Sequence, residues 1–194
     1  PESAQRLVEL QSGTVDGNDV TLTINSGLQW YAQNSLAARI RDTGAKSGTV
    51  VIMDAKNGNL LSVASYPTFD PNTDVGKKGA KLGNVAFSDV FEPGSTSKIM
   101  TIAAALEEGT VTPSTPVIIP NRLKRYDASF KDSHDHPTLY RTVAGTLAES
   151  SNIGTVLVSE TITSKTLESY FRKFGLGQRS GTGYPGESKG LLAK

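Results

Sequence analysis

The chain has 194 residues, of which 37% are apolar and 20% charged, a composition that fits a folded domain and excludes a disordered or fibrous chain. Its 20 basic and 19 acidic residues leave a net charge of +1, so we expect no nucleic-acid partner. It has no cysteine, which excludes disulfides, thiolate catalysis and cysteine-ligated zinc.

The first part of the chain predicts a lead-in over residues 1–25 followed by a helix. Val20–Ile24 reads as a short strand, and Asn25 or Ser26 as the helix cap. Gly44 predicts the helix end. Apolar residues recur at every fourth position between the cap and this glycine, at Leu28, Ala32, Leu36 and Ile40.

A strand pair follows this helix. Thr49–Met53 and Leu60–Ala64 are joined through Asn57-Gly58, a dipeptide typical of hairpin turns. The first of these strands is a continuous apolar run, which predicts a sheet covered on both faces. Residues 66–90 are rich in proline and glycine and are expected to form loops.

The run Phe91–Lys98 precedes a stretch of good helix formers. Pro93 and Gly94 end whatever comes before, Ser95 is a good helix-starting residue, and Gly109 is a plausible stop. Ser95 and Lys98 are three positions apart and would share one face of a helical turn. A hydroxyl beside an amine at the positive end of a helix can become a nucleophile without histidine.

The remainder of the chain predicts short strands and loops over Thr110–Pro137 and then three helices. The helices are expected at about residues 139–149, 153–162 and 165–174. Thr163 or Ser164 would cap the last helix and Gly175 would end it. Strands come first and helices later without regular alternation, so we predict an α+β fold.

A second group of polar side chains lies about fifty residues after Ser95, at the break between two predicted helices. There Ser150 and Asn152 offer a hydroxyl and an amide from a short loop. Each group also has an ordinary structural explanation. Ser95 could merely cap a helix above a solvated Lys98, and the serines and Asn152 could merely end one helix and cap the next.

Taken together, S-x-x-K at Ser95 and S-x-N at Ser150 stand in the order found in penicillin-binding proteins and serine β-lactamases. Over roughly residues 20–192 the chain resembles the transpeptidase domain of class B penicillin-binding proteins, the division type. Further segments that carry the resemblance are Leu22–Ile24 with Leu28-Gln29, Asp54–Leu60, Tyr66–Asn72 and Phe174–Gly177.

The resemblance implies a penicillin-binding fold, an antiparallel sheet packed by helices with a helical subdomain, and a peptidoglycan D,D-transpeptidase activity. Ser95 would attack the bond between the two D-alanines of a stem peptide, and Lys98 would take its proton. Ser150 would relay a proton to the leaving group, and Asn152 would hold the substrate amide. β-Lactam antibiotics would acylate Ser95, and no cofactor or metal is expected.

The family's third motif, Lys-Thr-Gly or Lys-Ser-Gly on a later strand, has no match after Asn152. Lys46-Ser47-Gly48 lies too early and is interpreted as a decoy. We therefore expect residues 26–194 to be the N-terminal portion of the domain, which requires the remaining C-terminal part as a partner. Residues 1–25 would lead in from a pedestal region.

The resemblance also implies a location and further partners. The full protein would be anchored in the cell membrane by an N-terminal segment absent from this chain, with its catalytic domain outside. Proteins of the division or elongation machinery would be its partners.

Other functions remain open at this stage. The alternatives are a β-lactam sensor domain, a D,D-carboxypeptidase or serine β-lactamase, and an inactive scaffold. A metal site is a further alternative, because two imidazoles and two carboxylates lie close together in sequence, at Asp132, His134, Asp135 and His136. The basic cluster at residues 121–126 is interpreted as a solvated turn or groove wall.

Overall fold

The computed structural model describes residues 17–72 and 82–192. A boundary after Ala86 divides the chain into two compact units, each with helices and strands. Within the described ranges, no helix has the length and apolar character needed to cross a membrane.

The first unit is built on α1 (Ser26–Thr43), which begins and ends as predicted. The Asn25 side chain accepts a hydrogen bond from the backbone N–H of Leu28, so one of the orphan donors of the first turn is satisfied. Gly44 adopts φ 67° and donates its N–H to the Arg41 carbonyl, a left-handed helix end that glycine reaches without steric cost.

Helix α1 packs on an antiparallel pair, β1 (Gly48–Met53) and β2 (Leu60–Tyr66). Leu36 and Ile40 cover Gly48 so closely that a Cβ there would lie 3.0 Å from each side chain, and packing thus explains the glycine of Lys46-Ser47-Gly48. Only one face of β1 is covered within the described structure. Val51 and Met53 are 52% and 57% exposed, so the prediction of a sheet covered on both faces is wrong there.

The predicted strand at Val20–Ile24 is also wrong, since these residues form no strand. The chain instead meets the start of β2 through two isolated bonds. The Thr23 hydroxyl donates to the Leu60 carbonyl at 2.6 Å, and the Asn25 N–H donates to the Leu61 carbonyl at 2.9 Å. Two such bonds direct the chain into α1 without forming a ladder.

A short helix, α2 (Val85–Ser88), spans the boundary between the units. The second unit then begins with a 3₁₀ turn (Gly94–Ser97) that runs into α3 (Lys98–Glu107). Two small antiparallel pairs follow, β3 (Pro116–Ile119) with β6 (Leu139–Thr142) and β4 (Leu123–Arg125) with β5 (Ala128–Phe130). Three helices complete the unit: α4 (Val143–Ala148), α5 (Asn152–Ser159) and α6 (Ser164–Lys173).

The helix expected at 139–149 therefore starts later than predicted, because Leu139–Thr142 pairs with β3 and Thr142 becomes the helix cap. The other two helices lie where they were expected. Thr163 caps α6, and Gly175 follows its end with φ 91°. One apolar core joins α3, β3, β4, α4 and α5, formed by Ile102, Ala105, Val111, Val117, Ile119, Leu123, Val143, Ile153 and Val158.

Candidate active site

Ser95 lies inside the 3₁₀ turn and not at the helix start that the sequence predicted, since α3 begins at Lys98. The turn is held by its neighbours. The Thr96 hydroxyl donates to the Pro93 carbonyl at 2.6 Å, and the Ser97 hydroxyl donates to the Gly94 carbonyl at 2.7 Å. Ser95 itself is exposed, and its Oγ faces Lys98.

Lys98 is the central group of the site and is only 8% exposed. Its Nζ lies 3.1 Å from Ser95 Oγ and 3.0 Å from Ser150 Oγ, and it also donates to the Ser150 carbonyl. These three oxygens match the three donors of a charged ammonium. In the neutral form, two N–H groups can stay on Ser150 while the lone pair faces the Ser95 hydroxyl.

Burial lowers the pKa of the Lys98 amine, because removal from water disfavours its charged form. The negative charge of Asp132 acts in the opposite direction, and the net shift is downward. A lower pKa increases the fraction of neutral amine, which is the form that proton abstraction requires.

The hydroxyl of Ser150 is brought to Lys98 by an unusual backbone conformation. Ser150 adopts φ 55°, a left-handed value that costs a non-glycine residue of the order of 1–2 kcal/mol. It follows Glu149, the C-cap of α4, and its own N–H donates to the Leu147 carbonyl at 3.0 Å. The capping role falls to Ser151, whose Oγ accepts from the Gly154 N–H at 2.8 Å. The Ser150 hydroxyl is not used in capping α5.

Asn152 is the first residue of α5, and its side chain is exposed. Its Nδ2 donates to the Lys131 carbonyl at 2.9 Å, which fixes the amide plane. The Oδ1 atom is then the end of the amide that can meet a substrate N–H. The structure thus brings together Ser95, Lys98 and Ser150, and it places Asn152 two residues after Ser150 at the start of α5.

Asp132 lies beside this group, and the sequence was read only as giving it a possible metal role. Burial is the largest influence on the pKa of Asp132 and raises it, but hydrogen bonds from Ser151, Ile153, Asn152 and His136 outweigh burial and hold the pKa below its ordinary value. No sequence signal joined these residues, because Asp132 and Ser151 are nineteen positions apart.

The structure does not support the metal alternative. Only Asp132 and His136 meet, at 3.2 Å, while Asp135 pairs with Arg122 at 2.7 Å. His134 is exposed. In residues 17–72 and 82–192, no group of three or more histidine or acidic side chains is arranged to hold a metal ion.

Comparison with known families decides the identity of the fold. Residues 48–194 match the penicillin binding protein transpeptidase domain. The chain belongs to this family. The class B resemblance and the α+β penicillin-binding fold predicted from the sequence are both confirmed.

Curated relatives of this transpeptidase domain include the penicillin-binding protein PbpB of Mycolicibacterium smegmatis. It is 37% identical over 179 residues, which cover 92% of this chain and 28% of the relative. The peptidoglycan D,D-transpeptidase FtsI of Escherichia coli K12 is 32% identical over 189 residues, 96% of this chain and 32% of that protein. The chain thus spans about a third of the length of these relatives.

Solved structures agree. Penicillin-binding protein 3 of Mycobacterium tuberculosis, crystallised with aztreonam, superposes with a TM-score of 0.85 at 36% identity. The match covers 94% of this chain and 42% of that structure. A peptidoglycan synthetase from Bifidobacterium adolescentis gives a TM-score of 0.84 at 33% identity, over 93% of this chain and 32% of that one.

Proposed function

We propose that this chain carries the nucleophile-bearing part of a peptidoglycan D,D-transpeptidase. The observation that supports it most directly is the buried Lys98 amine lying 3.1 Å from Ser95 Oγ and 3.0 Å from Ser150 Oγ. The printed names of the relatives, peptidoglycan D,D-transpeptidases among them, indicate the substrate class.

In the first step, neutral Lys98 takes the Ser95 proton as Oγ attacks the carbonyl carbon between the two D-alanines. The tetrahedral intermediate then collapses. The C–N bond breaks, the terminal D-alanine leaves with a proton relayed from Lys98 through the Ser150 hydroxyl, and an ester to Ser95 remains. In the second step, an amine of a neighbouring stem peptide attacks the ester carbonyl carbon. The C–O bond to Ser95 breaks, and the amine proton passes through Lys98 to Ser95 Oγ.

Two further groups assist these steps in the proposal. The Ser95 backbone N–H, at the start of a helical turn, supplies one donor to the oxyanion. Asn152 Oδ1 accepts a substrate N–H, because its Nδ2 is already bound to Lys131. The second oxyanion donor is assigned to the strand of the third motif, in the remaining part of the domain.

The same serine would be acylated by β-lactams, whose strained amide takes the place of the peptide bond. We further propose that residues 1–25 lead in from a pedestal region and that residues 26–194 open the transpeptidase domain. The location proposed for the complete protein is the outer face of the cell membrane, with division or elongation proteins as partners.

The test uses the complete protein and a fluorescent penicillin, with peptide mapping of the labelled residue. The parent is expected to carry the label on Ser95, and Ser95→Ala is expected to carry none. Ser47→Ala is the matched control, since Ser47 belongs to the early Lys-Ser-Gly run, and it should label like the parent. Label on another residue, or none in the parent, contradicts the proposal.

The lifetime of the acyl-enzyme separates the proposed transferase from the hydrolase alternatives. A penicilloyl ester that is hydrolysed much more slowly than a β-lactamase would hydrolyse it fits a transpeptidase or a sensor. Formation of cross-linked peptide by the same protein then excludes the sensor. Rapid release of penicilloic acid would assign a β-lactamase.

A further inference from the structure

Asp132 binds the first turn of α5 with both of its carboxylate oxygens. Oδ1 accepts the backbone N–H groups of Asn152 and Ile153, at 2.5 and 3.0 Å. Oδ2 accepts the Ser151 hydroxyl at 2.7 Å. One side chain, 11% exposed, thus contacts all three residues that follow Ser150.

This arrangement stabilises the turn for two reasons. The N–H groups at the start of a helix have no partner within the helix, and a carboxylate also suits the positive end of the helix dipole. The Ser151 hydroxyl that donates to Asp132 accepts from the Gly154 N–H in turn, at 2.8 Å. Asp132 is thus connected through the Ser151 hydroxyl to the backbone of Gly154 in the first turn of α5.

His136 holds Asp132 from the other side. Its Nε2 lies 3.2 Å from Asp132 Oδ2, and its Nδ1 lies 2.7 Å from the Pro137 carbonyl. The ring thus lies between two oxygen atoms. The imidazole, 13% exposed, limits the rotation of the carboxylate.

We propose that Asp132 is a positioning residue that holds the Ser150–Asn152 turn, and with it the Ser150 hydroxyl and carbonyl, against the Lys98 amine. The inference rests on the proposed acyl transfer at Ser95. Ser150 sits in a left-handed conformation directly before the bound turn, so the bonds to Asp132 oppose its relaxation to an ordinary backbone angle.

The charge of Asp132 has a second, separable effect. It opposes the influence of burial on Lys98 and so keeps the pKa of that amine higher than burial alone would. Replacing the carboxylate with an amide removes this opposition, and the pKa of Lys98 falls further. A variant that lacks the charge should therefore show both a less firmly held turn and a more readily neutralised base.

The experiment measures the second-order rate of acylation by fluorescent penicillin against pH, in the complete protein. Asp132→Asn is expected to lower the maximal rate by ~10-fold or more, the loss of one hydrogen bond to a charged group. The acidic limb of its pH profile should move to lower pH. Asp135→Asn is the matched control, because the Asp135 side chain is 75% exposed and pairs with Arg122. It should change neither the maximal rate nor the acidic limb.

Ser151→Ala provides a second variant, since it leaves the carboxylate in place and removes one of the three bonds between Asp132 and the turn, together with the cap on the Gly154 N–H. It should slow acylation less than Asp132→Asn and leave the acidic limb where it is. The double variant should be slowed less than the product of the two single effects, because both changes act on one network.

Two results would overturn the inference. One is an Asp132→Asn protein that acylates at the parent rate. The other is an Asp132→Asn protein that acylates slowly, whose pH profile keeps the acidic limb of the parent, and whose loss of rate adds to that of Ser151→Ala. This pattern would assign Asp132 a role in general stability only. A parent protein that is not labelled on Ser95 would instead remove the proposed function, so the two failures are distinguishable.

Discussion

Gly154 lies where the first turn of α5 crosses α4, and the structure leaves no room for a side chain there. A Cβ at this position would meet Thr146 Cγ2 at 2.5 Å, Thr146 Oγ1 at 2.9 Å and Ile119 Cδ1 at 3.0 Å. Thr146 and Ile119 are both fully buried. Gly154→Ala therefore forces α5 away from α4, and the turn that carries Ser150 moves with it.

The expected magnitude follows from two opposing contributions. Overpacking a buried site costs about 1–3 kcal/mol, while alanine in place of a helical glycine recovers about 0.4–1 kcal/mol by restricting the unfolded chain. We expect Gly154→Ala to lower the free energy of unfolding by about 1–2 kcal/mol. Acylation by penicillin should slow as well, because Lys98 loses part of its contact with Ser150.

The assay compares denaturant unfolding and penicillin labelling of Gly154→Ala with those of Gly145→Ala. Gly145 is also helical, but a Cβ there would meet nothing closer than 3.5 Å, so this control should be neutral or slightly stabilised. Thr146→Ala should rescue much of the loss in Gly154→Ala, since it removes the two nearest atoms and leaves only Ile119 Cδ1 at 3.0 Å. It also removes a buried hydroxyl that has no hydrogen-bond partner among the described residues. The reasoning is refuted if Gly154→Ala unfolds like the parent, or if Thr146→Ala makes it worse.

Three other predictions can be checked with the same two assays. Lys98→Ala should keep the fold but slow acylation by ~10²-fold or more, because it removes the base; a near-parental rate in this variant rules out that role. In the parent, the acylation rate should rise with pH about a midpoint below the ordinary lysine pKa, because burial lowers the pKa of Lys98 and the neutral amine is the base. Ser150→Gly and Ser150→Ala should both lose acylation, yet only the glycine variant should gain about 1 kcal/mol of stability, since φ 55° suits glycine; equal stabilities would show that the conformation carries no strain. Glu160→Gln should change unfolding by less than about 1 kcal/mol despite the 2.5 Å pair with Arg125, because both side chains are about 40% exposed; a larger loss would contradict that estimate.

Local chemistry made much of this fold predictable. The cap at Asn25 and the left-handed Gly44 bound α1 because both act on adjacent backbone groups, which sequence order already brings together. The same holds for Ser95 and Lys98, whose spacing of three allows contact in any helical turn. That turn is a 3₁₀ helix and not the predicted α-helix, but Ser95 and Lys98 still meet.

Features that depend on distant partners were missed. Leu139–Thr142 reads as helix by itself and becomes a strand because Pro116–Ile119 pairs with it. The strand expected at Val20–Ile24 fails for the converse reason, since no neighbouring strand pairs with it in the described part of the chain. The contact of Asp132 with α5 could not be predicted, because the positions of Asp132 and Ser151 in the sequence do not show that the intervening chain brings them together.

The two ends of the candidate site are carried by different helices. Ser95 lies in the 3₁₀ turn that leads into α3 and Lys98 begins α3, whereas both oxygens that hold the amine on its far side come from Ser150, just before α5. Ile102 of α3 and Ile153 of α5 lie in one buried core. The reactivity of Ser95 thus depends on the spacing of α3 and α5. A partner or drug that displaces α5 from α3 would separate Ser150 from Lys98 and inactivate the nucleophile without contacting it.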